Sequence, residues 1–232
     1  MSIQSSFDNK WEKNIYGQRK QLNRYPFSDV VSYVMRLFGE RLKAKETLRA
    51  LEVGFGGGNN IIFLAQVGFE TYGIEGSHSA CKFAMEQVKK NGLNAKLMVG
   101  DFVKLPYSDN FFDLVLDREA IYCNVPSAIS QTIGEVYRVL KRGGLFLTFM
   151  YSLEHGSLLS DGGRLIDTNT YTDFEKGSFA GTGVTHFFSK EEILNQYLKD
   201  FEIEFMRHLR VDEMVPSEHN VYAEFHTCAR KR

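Results

Sequence analysis

The feature that most constrains the fold is a regular alternation of short apolar, β-rich runs with longer segments of helical periodicity. The first run, residues 48–53, passes through a glycine-rich turn into the apolar segment 61–67. The rhythm predicts further strands near 71–74, 96–99, 112–116 and 145–149, and helices near 77–90 and 127–140. This order predicts an α/β fold with a doubly wound, mostly parallel sheet that carries helices on both faces.

The segments on either side of this pattern complete a single predicted domain with a seven-stranded sheet. Helical spacing before the first strand predicts an N-terminal helical cover over residues 1–45, in front of the core at 46–150. Residues 151–189 are rich in Gly, Ser, Thr and Asp and exceed an ordinary connection, so we expect a functional insertion there, a lid over the substrate. Residues 190–232 predict a helix and a terminal antiparallel β pair.

The composition narrows the range of partners. The chain has 28 Lys and Arg against 29 Asp and Glu, and this net charge of -1 gives no general attraction to nucleic acid or to acidic membranes. No stretch approaches the roughly 20 apolar residues of a membrane span, and the first residues lack an apolar secretory segment. We therefore expect a cytoplasmic protein without nucleic-acid or membrane partners, and the sequence leaves the oligomeric state open.

The glycine-rich turn after the first strand is the most informative local motif. It reads Leu-Glu-Val-Gly-Phe-Gly-Gly-Gly-Asn-Asn from position 51, with glycines at Gly54, Gly56 and Gly58. Glycines at this place let the backbone approach a ligand, and the following helix offers unpaired N–H groups to a negatively charged group. An α/β protein also needs glycine in such turns for steric reasons, so the loop alone leaves both interpretations open.

Acidic residues at the ends of later strands favour an adenosine compound as the ligand. Glu75 ends the second strand about 20 residues after the glycines, where a carboxylate can accept hydrogen bonds from both ribose hydroxyls. Asp101 and Phe102 follow the third strand, where they can contact the adenine base, and Asp117 follows the fourth. All of these residues are predicted at the carboxyl edge of the sheet, where open α/β folds bind ligands.

The spacing of the glycines argues against a dinucleotide site. The third glycine of the pattern G-x-G-x-x-G is replaced by Asn59, so the loop reads G-x-G-x-G. With this loop the chain resembles the small-molecule type of class I S-adenosylmethionine-dependent methyltransferases. Their acidic end of the second strand matches Glu75, their Gly-Asp motif matches Gly100-Asp101, and two later motifs match residues 105–113 and 138–144.

The resemblance implies S-adenosylmethionine as the cofactor, S-adenosylhomocysteine as its product and no metal. The glycine loop would hold the methionine part, Glu75 the ribose, and Asp117 with Arg118 the region near the sulfonium. Trp11 would belong to the cover, although it is equally compatible with simple packing on the N-terminal helix. The implied cofactor-binding residues are Trp11, Tyr16, Gly54, Phe55, Gly56, Gly58, Asn60, Glu75, Gly76, Ser77, Asp101, Phe102, Asp117 and Arg118.

Methyl transfer to a hydroxyl needs a group that removes the proton. His186 is the first candidate, because it joins the insertion to the last helix and histidine titrates near neutral pH. Glu119 is the second, either as a base or as a partner for an acceptor amine, and His155 is the third. Three other histidines, His208, His219 and His226, fall in the terminal β region and are expected to be structural or exposed.

The acceptor is defined only by class. The hydroxyl- and carboxylate-rich insertion favours a polar small molecule, such as a sugar or a secondary metabolite methylated on oxygen. N- or S-methylation of a small molecule remains open, as do a NAD-dependent oxidoreductase and a non-catalytic relative of the same fold. Enzymes that methylate amino groups of nucleic-acid bases carry an Asp/Asn-Pro-Pro-aromatic motif where this chain has residues 117–120, so that class is disfavoured.

Overall fold

The computed structural model describes residues 6–160, 162–215 and 220–232. Its strands are β1 Arg49–Val53, β2 Glu70–Glu75, β3 Ala95–Val99, β4 Phe112–Arg118, β5 Leu140–Tyr151, β6 Arg164–Asp167, β7 Thr170–Thr172, β8 Thr185–His186, β9 Phe201–Glu213 and β10 Asn220–Lys231. Seven of them form one sheet in the order β3-β2-β1-β4-β5-β10-β9. The first five strands of that order run parallel, and β10 pairs antiparallel with both β5 and β9. This architecture confirms the predicted fold class.

The helices begin and end close to where the sequence places them. They are α1 Ser28–Lys43, α2 Asn59–Gln66, α3 His78–Lys90, α4 Pro126–Val139, α5 Ser157–Ser160 and α6 Lys190–Glu192. Ser77 caps α3 by accepting a hydrogen bond from the Ala80 N–H at 3.0 Å, as an N-cap serine does. The helix expected at the start of residues 190–232 is α6 followed by a single π-helical turn, Ile193–Tyr197.

The insertion has more regular structure than its composition suggests. Strands β6, β7 and β8 form a separate three-stranded sheet within it. Its aromatic side chains Phe174, Phe179, Phe187 and Phe188 are buried in the same core cluster as the side chains between the main sheet and α4. The insertion is therefore packed into the domain, and removing it would expose part of the core.

A second core cluster covers the opposite face of the main sheet. There, α1 and α2 pack onto strands β1, β4 and β5 through residues such as Val34, Phe38, Leu64 and Leu116. Burial on both faces explains why the central strands read as continuous apolar runs. Among the described residues, no helix is long and apolar enough to cross a membrane.

Candidate active site

The glycine loop between β1 and α2 has the tight backbone that the sequence predicts. Gly54, Gly56 and Gly58 all have positive φ, at 65°, 51° and 78°, which favours glycine. A Cβ added at Gly56 would lie 2.8 Å from the hydroxyl oxygen of Tyr16, and one added at Gly58 would lie 2.7 Å from the Ala84 Cβ. The loop is therefore closed in by the N-terminal cover above and by α3 beside it.

Two adjoining cavities open at the carboxyl edge of the sheet. They enclose about 460 and 800 Å³, including space open to solvent, and share Trp11, Tyr16, Gly54 and Glu119 as lining residues. The first cavity, on the side of β2, is also lined by Phe7, Glu75, Gly76, Phe102 and Cys123. The second, on the side of the insertion, is also lined by Glu52, Phe55, Asn60, Arg118, Tyr151 and Phe179.

Glu75 lies at the first cavity with its carboxylate fixed by the backbone. Its two oxygens accept hydrogen bonds from the N–H groups of Gly56 and Ser77, each at 2.8 Å. Burial raises the pKa of this carboxyl, while the backbone donors lower it in part. A carboxylate has about four acceptor sites, so Glu75 can also accept from a ligand hydroxyl.

Asp101 lies beneath the N-terminal segment and holds it in place. Its carboxylate accepts hydrogen bonds from the Ser6 backbone and hydroxyl, and from the Phe7 N–H at 3.0 Å. Phe7 also covers Gly76, and Phe102 lines the first cavity next to this contact. The Asp101 carboxylate, which was expected to contact adenine, thus already accepts hydrogen bonds from N–H and O–H groups of the N-terminal segment. The exocyclic amine of adenine is an N–H donor of the same kind.

Glu52 is a site residue that the sequence analysis did not single out. It is almost fully buried within β1, and its Oε1 accepts a hydrogen bond from the Asn60 amide at 2.8 Å. Its Oε2 has no partner among the described residues, and the side chain lines the second cavity. Burial raises its pKa to about 8, helped by the nearby carboxylates of Asp117 and Glu75. The sequence does contain a signal for Glu52, because it is the one acidic residue in a strand whose neighbouring residues are apolar, and burial of a charge is costly unless the charge has a partner.

The N-terminal cover is fastened on both sides of the cavities. Glu12 accepts hydrogen bonds from the hydroxyl groups of Ser77 and Ser79 at the start of α3. On the other side, the Asn14 amide donates to the Gly181 carbonyl of the insertion at 2.8 Å. The cover therefore bridges the core and the insertion and brings Trp11 and Tyr16 over the cavities.

Glu119 and Arg118 stand where the two cavities meet. Glu119 has a positive φ of 57°, uncommon for a side chain other than glycine, and its carboxylate pairs with the Arg118 guanidinium. Arg118 is sandwiched between the rings of Phe27 and Phe149, at 4.4 and 4.7 Å from their centroids. Burial raises the pKa of Glu119, and the positive charge of Arg118 offsets this only in part.

Four of the predicted cofactor residues line neither cavity: Asp101, described above, and Gly58, Ser77 and Asp117, which lie one layer below. Asp117 accepts hydrogen bonds from the Thr148 hydroxyl at 2.6 Å and from the Ala120 and Ile121 N–H groups. It supports the turn that presents Glu119, and burial raises its pKa to about 6. Ser77 caps α3 in the same supporting way, and Gly58 packs against that helix.

The structure does not bring His186 to either cavity. It is completely buried, with Nδ1 at 2.8 Å from the Thr170 hydroxyl and Nε2 at 3.0 Å from a Glu192 oxygen. It fastens β7 to α6, and we no longer propose it as the base. His155 packs among aromatic rings of the insertion, His208 bonds to Ser152, and His219 lies outside the described residues.

Comparison with known proteins gives a family for this architecture. A family model described as a methyltransferase domain matches residues 51–148, the stretch from β1 to β5. This match, over less than half of the chain, shows a methyltransferase domain within residues 51–148. This confirms the resemblance seen in the motifs.

Individual relatives agree with this assignment. A demethylmenaquinone methyltransferase of Geobacillus kaustophilus is 37% identical over 45% of this chain and 46% of its own. A 24-methylenesterol C-methyltransferase of Oryza sativa is 36% identical over 47% of this chain and 30% of its own. The chain thus spans half or less of these two relatives.

A solved structure supports the fold over a longer stretch. A protein described as an S-adenosylmethionine-dependent methyltransferase from Methanosarcina mazei superposes with a TM-score of 0.63. It is 21% identical and the match covers 80% of this chain and 93% of that one. At this identity the likeness concerns the fold.

The side chains around the cavities fit S-adenosylmethionine. The unpartnered Oε2 of Glu52 suits the α-amino group of a methionine portion, and Glu52 lines the second cavity together with Gly54, Gly56 and Gly57 of the glycine loop. Glu75 suits ribose hydroxyls, and Trp11 and Phe102 offer ring faces near the first cavity.

Proposed function

We propose that this protein transfers a methyl group from S-adenosylmethionine to a small molecule held in the second cavity. The observation that carries this proposal is the position of Glu119, which lines both cavities where they meet. A cofactor held by Glu75 and Glu52 would present its methyl group near that junction. The protein would then catalyse transfer mainly by aligning the two reactants and excluding water.

The proposed acceptor carries a hydroxyl group, as in a sugar or a secondary metabolite. Glu119 is the carboxylate in reach of the junction, and its raised pKa brings it closer to the range of a general base at neutral pH. Polar groups of Gln21, Asn23 and Ser178 at the second cavity offer further partners for acceptor hydroxyls. We assign no metal to this reaction, and propose a cytoplasmic location.

Methylation of a carbon atom on a ring compound is the second candidate. The second cavity is walled by Phe27, Tyr122, Tyr151 and Phe179, and such rings suit a flat or fused-ring acceptor. Two relatives of this chain are named for a sterol and for a demethylmenaquinone. Glu119 would serve equally well to remove a proton from such an acceptor.

One assay separates these candidates. The protein is incubated with S-adenosylmethionine and with separate pools of sugars, phenols, quinols, sterols, amines and thiols, products are detected by the mass of an added methyl group, and NMR of each product tells an O-methyl from a C-methyl group. We expect product from a hydroxyl-bearing pool, lost in Glu119→Gln, which keeps the shape of the side chain without a titratable carboxyl. Product from the amine or thiol pool alone would contradict an oxygen acceptor, and product formed equally by Glu119→Gln would remove Glu119 as the base.

A further inference from the structure

A chain of buried polar side chains leads from the cavity junction into the interior of the domain. Glu119 accepts a hydrogen bond from the Tyr222 hydroxyl, and a single Arg118 nitrogen, Nη1, contacts both the Glu119 carboxyl group and that of Glu224 on β10. The next residue along is His226, whose Nε2 lies 2.6 Å from Glu224 Oε1. Glu119 is thus the cavity end of a continuous hydrogen-bonded path.

The path continues behind the sheet. Glu224 and His226 are two positions apart on β10, so their side chains share one face of the strand. His226 is completely buried, and its Nδ1 lies 3.0 Å from the Tyr33 hydroxyl of α1. In the tautomer in which Nδ1 donates to Tyr33, Nε2 carries the lone pair that faces Glu224.

The charges of this cluster do not balance without a proton. Arg118 is the guanidinium that pairs with both Glu119 and Glu224, so two carboxyl groups share one buried positive charge. Two carboxyl groups at the same guanidinium nitrogen repel each other when both are ionised, so the pair retains one proton. Other titratable and charged groups around the cluster are Asp29, Tyr33 and Arg36 of α1, Tyr151 of β5, Tyr222 of β10 and Arg207 of β9. Arg36 and Arg207 both lie over the Tyr33 ring.

Asp29 gives the path an end near solvent. One of its carboxylate oxygens lies within 4.8 Å of ligand atoms of both Glu224 and His226, a separation that one water molecule can bridge. Asp29 is half-buried near the start of α1, whereas Glu224 and His226 are buried. The cluster therefore extends from the cavity junction to the partly exposed end of a helix.

We propose that Glu119 takes the proton of the methyl acceptor and that Glu224 and His226 accept it in turn. This inference rests on the proposed methyl transfer. The acceptor O–H bond breaks, its proton passes to a Glu119 oxygen, and its electron pair forms the bond to the methyl carbon, while the pair of the carbon–sulfur bond stays with sulfur. Glu224 passes the proton that the pair shares to His226 Nε2 and takes the new proton from Glu119. His226 then releases its proton towards solvent past Asp29, which leaves Glu119 ionised and the pair with a single proton for the next turnover.

The test follows the Glu119 proton directly, without any acceptor. Glutamate carboxyl carbons and histidine ring nitrogens are isotopically labelled, Glu119 is assigned from Glu119→Gln, and both groups are titrated by NMR. In the wild-type protein, Glu119 and His226 should show a shared titration step, because strongly coupled groups titrate as a pair. In His226→Gln, Glu119 should titrate in one step at a pH higher by about one unit, since the neighbouring group can no longer take up positive charge.

His186→Gln is the matched control. His186 is also completely buried beside a carboxylate, that of Glu192 at 3.0 Å, but lines neither cavity, so the Glu119 curve should not change. An unchanged Glu119 curve in His226→Gln, or an equal shift in both variants, would overturn the proposal. If His226→Gln fails to fold, the wild-type titration alone decides, because a His226 ring that does not respond across the Glu119 step contradicts the relay. A coupled titration in a protein that methylates no acceptor would instead count against the proposed function.

Discussion

Glu52 shows how a single buried carboxyl can be kept for ligand binding at the expense of stability. Its pKa is raised to about 8 by burial, against an ordinary value near 4.3. Between these two pH values the folded protein holds a proton that the unfolded chain has released. Stability should therefore fall as pH rises from about 4.5 to 8 and level off above that range.

Replacement of Glu52 by Gln should make the protein more stable and weaken its ligand. Gln keeps the contact to Asn60 but has no charge, so the gain in its free energy of unfolding over the wild type should grow from pH 5 to 8, to about a few kcal/mol. Affinity for S-adenosylhomocysteine should drop by about 1 to 3 kcal/mol, because a charged hydrogen-bond partner is lost. Thermal unfolding across pH and titration calorimetry measure both effects.

The control for this prediction is Glu70→Gln, at the opposite end of the neighbouring strand. Glu70 is exposed and pairs with Arg49, away from both cavities. This variant should show neither the pH-dependent stabilisation nor the loss of affinity. A Glu52→Gln advantage that is constant from pH 5 to 9 would mean that Glu52 is ionised throughout.

Residues at strand ends were predictable as a group, whereas single side-chain directions were not. The spacing from Gly54 to Glu75 correctly places both at the carboxyl edge, because parallel strands end there together. The same reasoning placed Asp117 near the ligand, but its side chain turns inward to Thr148. His186 was favoured as the base because of its place in the chain. Its side chain is buried because the insertion packs into the core, and such long-range packing cannot be read from local sequence.

At the scale of elements, the cover depends on a few contacts between separate parts of the chain. Glu12 lies at the N-terminus of α3, where its charge also interacts favourably with the helix dipole. Burial opposes ionisation of Glu12, but hydrogen bonds from Ser77 and Ser79 outweigh it and lower the pKa overall. Because Trp11 is on the same turn, this contact positions the cover over the first cavity.

Removal of this contact should loosen the cover. Glu12→Ala is expected to weaken S-adenosylhomocysteine binding by about 1 to 2 kcal/mol and to raise its dissociation rate, since the hydrogen bonds of a charged group are lost. Lys13→Ala, on the exposed side of the same turn, should bind as the wild type does. Calorimetry measures the affinity for S-adenosylhomocysteine, and stopped-flow measures its dissociation rate. Equal affinities and rates in Glu12→Ala and Lys13→Ala would show that the cover does not control access to the cavities.

The elements of the core were predictable and those of the insertion were not. Strands β1, β2 and β4 are mainly buried runs, and each is followed by a helix with one apolar face, so local periodicity identifies both. Strands β6, β7 and β8 have only two to four residues each, too short to show any periodicity. Their pairing is stabilised by packing of Phe174 and Phe187 into the core, which no local pattern reveals.

At the scale of the whole molecule, three parts of the chain meet around the two cavities. The sheet edge provides the glycine loop and the acidic residues, the N-terminal segment covers them, and the insertion closes the second cavity with Phe179. The matched family region 51–148 contains the sheet edge alone. Specificity for the acceptor should therefore depend on the cover and the insertion, which lie outside that region.

The most direct test of this account is binding of S-adenosylhomocysteine compared with NAD, in the wild type and in Gly56→Val. We predict that S-adenosylhomocysteine binds with a stoichiometry of one and raises the melting temperature, whereas NAD does neither, because only a ligand of the native state stabilises it. Gly56→Val should remain folded and lose this binding, since a side chain there would enter the space beneath Tyr16. Binding of NAD in place of S-adenosylhomocysteine, or full affinity in folded Gly56→Val, would contradict the account.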